Sequence, residues 1–148
     1  MWRPTDDVLS WLTAKHAARL EIAGGVSHFR KLDLSRSKRD RDTGERTSEI
    51  VDVTTVLELL ALCSDFAREL AVSANEIGDE FTAALSKALK SNSTLETLEL
   101  RSNQIGAAGA QSLAGMLQAN RSLTSLNLTN NQIEAGGAKA IADSLQQS

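Results

Sequence analysis

The chain has few aromatic residues. Phe, Trp and Tyr together make up 3% of its 148 residues, and Tyr is missing altogether. A platform that stacks nucleobases on aromatic rings has little to be built from. The formal net charge of −3 has the wrong sign for a general binder of nucleic acid or of an anionic membrane surface. The single cysteine, Cys63, cannot close an internal disulfide and fits a reducing compartment. His16, His28 and Cys63 are the only soft metal ligands, and their spacing matches no zinc pattern. They read as surface or core side chains, with Cys63 a small core residue in a helical apolar run. Gly24-Gly25 belongs to neither GxGxxG nor GxxxxGK[ST], so it is no phosphate loop. The longest apolar run, 56–63, is interrupted by Glu58 and is too short to span a bilayer. The opening "MWRPTDDVLSWL" places acids where a signal peptide needs basic and then apolar residues. The expectation is a soluble, cytoplasmic protein with no cofactor and no metal, binding neither nucleic acid nor membrane.

With apolar residues at 41% and charged residues at 24%, the chain is globular and about one domain long. Its strongest feature is repetition. Asn75, Asn103 and Asn131 stand 28 residues apart, and Ile77, Ile105 and Ile133 follow each by two. Leu70, Leu98 and Leu126 keep the same interval, as do Val72, Leu100 and Leu128. Leu85, Leu113 and Ile141 do so again, followed by Leu89, Leu117 and Leu145. So many columns in phase are the mark of a repeat architecture. Each unit divides in two. Leu98 and Leu100 have the two-residue period of a half-buried strand. Ala110, Leu113, Ala114 and Leu117 have helical spacing. A strand and a helix of this length cannot bury their apolar faces alone, but they can when stacked on copies of themselves. A polar residue recurring at the end of the strand must be hydrogen-bonded inside the stack. Asn75, Asn103 and Asn131 are therefore read as a structural ladder and not as ligands.

The pattern LxxLxLxxNxI over 95–105, followed by GxxGAxxLAxxL over 106–117, resembles the leucine-rich repeat family. The resemblance is to its ribonuclease-inhibitor-like class, which also occurs in NOD-like receptors and Ran GTPase-activating proteins. It implies an α/β fold, a short right-handed solenoid with parallel strands on the concave face and helices on the convex face. The regular repeats occupy 67–148. Before them, 29–66 reads as an irregular repeat: Phe29, Leu32 and Leu34 keep the strand half, while Ser37 stands where Asn would be. From Ser37 to Asn75 is 38 residues, and the excess falls in a charged, solvated loop at 38–47. The run Arg36, Lys38, Arg39, Arg41 and Arg46 is interleaved with Asp40, Asp42 and Glu45, leaving a net charge of only +2. Phe81 occupies the place of Gly109 and Gly137, which implies extra room beside the first regular repeat. The segment 1–28 reads as an N-terminal helical cap, with Thr5 as N-cap, acids in the first turn and Trp11 as its bulk. Sequons at Asn92, Asn120 and Asn127 are accounted for by the repeat without glycosylation.

Between the inward leucines, the intervening strand residues point outward. These are Glu69, Ala71 and Ser73, then Thr97, Glu99 and Arg101, then Ser125, Asn127 and Thr129, with Lys31, Asp33 and Ser35 before them. The resemblance implies that a protein partner binds here. The expected function is a non-enzymatic protein-protein interaction module. The alternatives are a regulator of a small GTPase, implied by the same resemblance, and a fragment of a larger repeat receptor. The strand around Leu126 and the helix ending at Leu145 have no later repeat to cover them, so self-association through the C-terminal repeat edge is also expected.

Overall fold

The computed structural model describes residues 31–33, 53–62 and 67–147. The expected cap at 1–28, the charged loop at 38–47, Cys63 and both histidines lie outside the described residues. Among the described residues, four short strands alternate with four helices: β1 (Lys31–Asp33), α1 (Val53–Leu62), β2 (Glu69–Ala71), α2 (Asp79–Leu89), β3 (Thr97–Glu99), α3 (Ala107–Ala119), β4 (Ser125–Asn127) and α4 (Glu134–Gln147). The strands form one parallel sheet in the order β1-β2-β3-β4. Its register follows the repeat: Leu32 lies beside Leu70, Leu70 beside Leu98, and Leu98 beside Leu126.

Each helix returns the chain to the start of the next parallel strand, the crossover that parallel pairing requires. Strands pack about 4.8 Å apart, whereas packed helices need about 8–10 Å. Units stacked on both spacings splay on the helical side. The sheet therefore lines the concave face and the helices the convex one.

The core lies between the two layers and is built from the periodic positions. Leu70, Leu98, Val72, Leu100, Leu85 and Leu113 are each fully buried. Burying a side chain of this size contributes about 1.5–3 kcal/mol, so each repeat is held mainly by its neighbours. Ile77, Ile105, Leu89 and Leu95 complete the same cluster, and Phe81 packs half-buried against it.

The helices start under tight steric control. A Cβ on Gly109 would sit 2.6 Å from Asp79 Oδ1 and 2.8 Å from Ile105 Cγ2. At Gly137 it would meet Ile133 Cγ2 at 2.7 Å and Ala110 Cβ at 2.8 Å. Hydrogen at Gly137 lets α4 approach α3 this closely, and hydrogen at Gly109 leaves room for the Asp79 carboxylate at the start of α3. Gly115, midway along α3, has nothing within 4 Å of such an atom. One local conflict remains in α2. The Ser86 hydroxyl is buried without a hydrogen-bond partner, while the equivalent residue of the next repeat is the buried Ala114.

These contacts make opposite predictions for one kind of substitution. Gly137→Ala should lower stability by about 1–3 kcal/mol through overpacking, and Gly115→Ala should raise it by about 0.5–1 kcal/mol through helix propensity. Ser86→Ala removes an unsatisfied buried polar group and should be neutral or stabilising, by up to about 1 kcal/mol. Urea unfolding midpoints of the three variants against the parent chain measure all of these effects.

Candidate interaction surface and the asparagine ladders

The turn after each strand sets both ladder and surface. Ala74, Ser102 and Asn130 have φ of 59°, 58° and 57°, in the left-handed region that L-residues rarely adopt. Each directly precedes a ladder asparagine. The left-handed step ends the strand and sends the next side chain inward. Asn103 is 6% exposed, and its amide is used at both ends. Oδ1 accepts from the backbone N–H of Asn75 at 2.9 Å and of Ile77 at 3.1 Å. Nδ2 donates to the carbonyls of Leu100 at 2.9 Å and Val72 at 3.2 Å. Asn131 repeats the scheme one unit on, accepting from Ile105 N–H at 3.1 Å and donating to Leu100 O and Leu128 O. Each amide thus ties its own turn to the one before it.

A second asparagine column does the same beyond the helix C-termini. Asn120 donates to Leu89 O at 2.7 Å and to Asn92 O at 3.0 Å, and its Oδ1 accepts from Ser122 and Leu123 N–H. Asn92 Oδ1 accepts from Thr94 and Leu95 N–H. The periodicity exposes this column, but its bonding becomes visible only in the structure. One structural residue has no sequence signal at all. Asp79, the first residue of α2, accepts at Oδ1 from Gly106 N–H at 2.8 Å and Gly109 N–H at 2.9 Å. It caps the following helix, which has no side-chain cap of its own at Gly106. The equivalent positions are Ala107 and Ala135, so no column marks it.

The outward strand positions form a polar surface with one exception. Glu69, Ser73, Thr97, Glu99 and Asn127 are partly exposed, and Arg101, Ser125 and Thr129 are exposed. Ala71, expected among them, is instead 6% exposed. A single methyl group does not reach past longer neighbours such as Glu99, its partner in the register. Asn127 Nδ2 donates to Glu99 Oε2 at 2.8 Å, and Thr129 Oγ1 donates to Asn127 Oδ1 at 2.6 Å. These bonds hold the Glu99 carboxylate in place beside Arg101. The Arg101 guanidinium makes no hydrogen bond or ion pair with any described residue. At the rim, Arg68 Nη1 lies 3.5 Å from Glu96 Oε1, both side chains being about half exposed.

Elsewhere the described residues offer little chemistry. A cleft of about 260 Å³ between α1 and α2 is lined by Leu57, Leu60, Ala61, Ala88, Leu89, Ser91 and Asn92. Its one amide, Asn92, is already committed to Thr94 and Leu95. Among the described residues, no three His, Cys, Asp or Glu side chains gather as metal ligands, and no helix is long and apolar enough to cross a membrane. Lys139, on exposed α4, is held above its ordinary pKa by its hydrogen bond to Asp143 and by the charge of that carboxylate. It lies away from the strands.

The leucine-rich repeat family matches residues 91–114 and 119–142. Both segments are leucine-rich repeats. Among solved structures, the chain is similar to "Leiomodin-1 Actin-Binding Site 2 (ABS2)". The TM-score is 0.67 at 16% identity, covering 98% of this chain and 75% of that one. At this identity the likeness is one of fold, a leucine-rich repeat solenoid. The tropomodulin C-terminal domain from Caenorhabditis elegans matches at a TM-score of 0.45 and 12% identity, over 97% of this chain and 93% of that one. Among curated proteins, none matches this chain in sequence.

The bonding separates scaffold from surface. Asn103→Ala should cost about 1–3 kcal/mol by leaving buried backbone groups unpaired, and Asp79→Ala about 1 kcal/mol by uncapping α3. Asn127→Ala, which loses only partly exposed bonds, should cost no more than about 0.5 kcal/mol. Guanidinium denaturation of the three variants gives the ranking, and equal losses at Asn103 and Asn127 would contradict the division.

Proposed function

We propose that the chain is a non-enzymatic interaction module that binds a protein partner through its concave strand face. The observation that carries this is the pair at the centre of the sheet: Arg101, exposed and without a partner among the described residues, next to a Glu99 carboxylate steadied by Asn127. A guanidinium with all its donors available, set on a rigid strand, suits charge-assisted bonds to an incoming carboxylate. Glu69, Ser73, Thr97, Ser125, Asn127 and Thr129 surround it with hydrogen-bonding groups and leave the binding set free of aromatic anchors. The partner it suits is polar and extended, not a hydrophobic knob.

The 28-residue interval and the GxxGA helix start support the ribonuclease-inhibitor-like class. A cytoplasmic setting fits the lone cysteine. Regulation of a small GTPase would need residues beyond those of the shared scaffold, and none of the described side chains favours it. The fold shared with the leiomodin-1 actin-binding site makes actin one defined candidate to test, although the similarity itself extends to fold alone.

The test starts with affinity capture on the immobilised chain, with actin as one purified arm. Any binder is then titrated against Glu99→Lys/Arg101→Glu. Reversing both charges should weaken association about ten-fold or more with an unchanged circular dichroism spectrum. Binding that survives this change but is lost on altering Gln111 and Gln118 of α3 would move the site to the convex side.

A further inference from the structure

Glu99 and Arg101 leave one face of the same strand, two residues apart, yet no bond joins them. Successive strand residues rise about 3.3 Å, so the two side chains start about 7 Å apart. Long side chains can close such a gap, and at the rim Arg68 does reach Glu96 of the next repeat, at 3.5 Å. Asn127 accounts for the difference on β3. It stands on β4 in register with Glu99, and its Nδ2 donates to Glu99 Oε2 at 2.8 Å. Its amide is fixed in that orientation, because Oδ1 accepts from the Thr129 backbone N–H at 3.0 Å and hydroxyl at 2.6 Å. The carboxylate is thus drawn sideways, across the strands, and not along β3 towards Arg101. Glu99 Oε1 and the Arg101 guanidinium both stay open. Ser73 and Thr129, which flank Arg101 at the 28-residue interval, have no charge to offer it.

On its other side Glu99 faces Ala71, its register partner on β2. That methyl group is only 6% exposed, so the floor beside the carboxylate is low and apolar. Adjacent strands lie about 4.8 Å apart, which gives this floor the width of one aliphatic chain. Lys and Arg suit such a place, because their stems lie on apolar surface while the charged head reaches beyond it. Both edges of β3 are already paired, with β2 and β4, so a partner meets it through side chains and not by adding a strand.

We propose that β3 reads an extended protein segment carrying one basic and one acidic side chain two residues apart. This rests on the concave-face reading above and names what that face recognises. The basic stem crosses Ala71 and sets its charge on Glu99 Oε1, and the acid takes the Arg101 guanidinium in a charge-assisted pair. A segment extended along β3 has the rise per residue of the strand itself, which fixes the spacing at two. A segment with only one of these charges leaves the other residue of the pair desolvated and unmatched. A phosphate group on the segment would satisfy Arg101 but bring a further negative charge towards Glu99.

Selection of displayed random peptides on the immobilised 1–148 chain tests this. The parent chain should enrich peptides with a basic and an acidic residue two apart. Arg101→Glu, which leaves two acids on β3, should enrich two basic residues at that spacing, and Glu99→Lys, which leaves two bases, should enrich two acids. None of these outcomes depends on the direction in which the peptide runs. A peptide selected on the parent chain should bind either variant about ten-fold or more weakly, with circular dichroism verifying that both variants fold. Enrichment of the same peptides by all three chains, of peptides without the paired charges, or of none would overturn the proposal. The broader reading fails separately. Peptides lost on Thr97→Trp, a bulky block on the concave face, but indifferent to Glu99 and Arg101 would keep the concave site and overturn the charge pairing alone. Peptides lost only on altering Gln111 and Gln118 would overturn both.

Discussion

The turns at Asn75 and Asn103 have backbone N–H groups that their own repeat leaves open, and a side chain of the following repeat closes them. Asn75 and Ile77 donate to the one oxygen of Asn103, whose nitrogen meanwhile holds the carbonyls of Val72 and Leu100. The site requires a donor and an acceptor on one short, planar group, and only the asparagine amide offers both at this length. A carboxylate would lose the donors, and an apolar residue would leave buried polar groups stranded. The strict register of the sheet, the left-handed residue before each amide and the burial of the leucines on either side all serve to keep that group in place.

This dependence explains what could be read from the sequence. Whatever recurs from unit to unit was legible: the leucine and isoleucine columns, the asparagines at the strand ends, and the glycines of the last two units, Gly109 and Gly137, at the helix starts. Whatever belongs to one unit alone was not. Asp79 caps α3 from the repeat before it, yet its counterparts are alanines, so nothing in the periodicity marks it. Ala71 has the outward parity of Glu99, but length and not parity decides whether a side chain reaches solvent. Ser86 is buried without a partner at a place where Ala114 would lead one to expect a small apolar residue. The outward strand face was legible as a face, because strand parity fixes direction. The freedom of Arg101 and the fixing of Glu99 by Asn127 depend on side-chain geometry that no spacing encodes.

Side-chain chemistry also changes along the sheet while the scaffold stays constant. The outward residues of the middle strand are charged and partly organised by their neighbours, and those of β4 are neutral. The frame tolerates this change because the ladder and the core take only the inward positions. The outward ones can vary from unit to unit at little energetic cost.

The ladder also has a direction. The amides of Asn103 and Asn131 reach back to the turn that precedes them, so a repeat leaving the ribosome has an unfinished turn until the asparagine of the next unit has been synthesised. Completion runs from the N-terminal side toward the C-terminal side in steps of one repeat, the same order in which a growing chain supplies them. In this bonding pattern the amides of Asn103 and Asn131 complete turns that precede them in the chain. A unit cut off from the one after it would thus keep its core leucines but lose the acceptor that closes its turn.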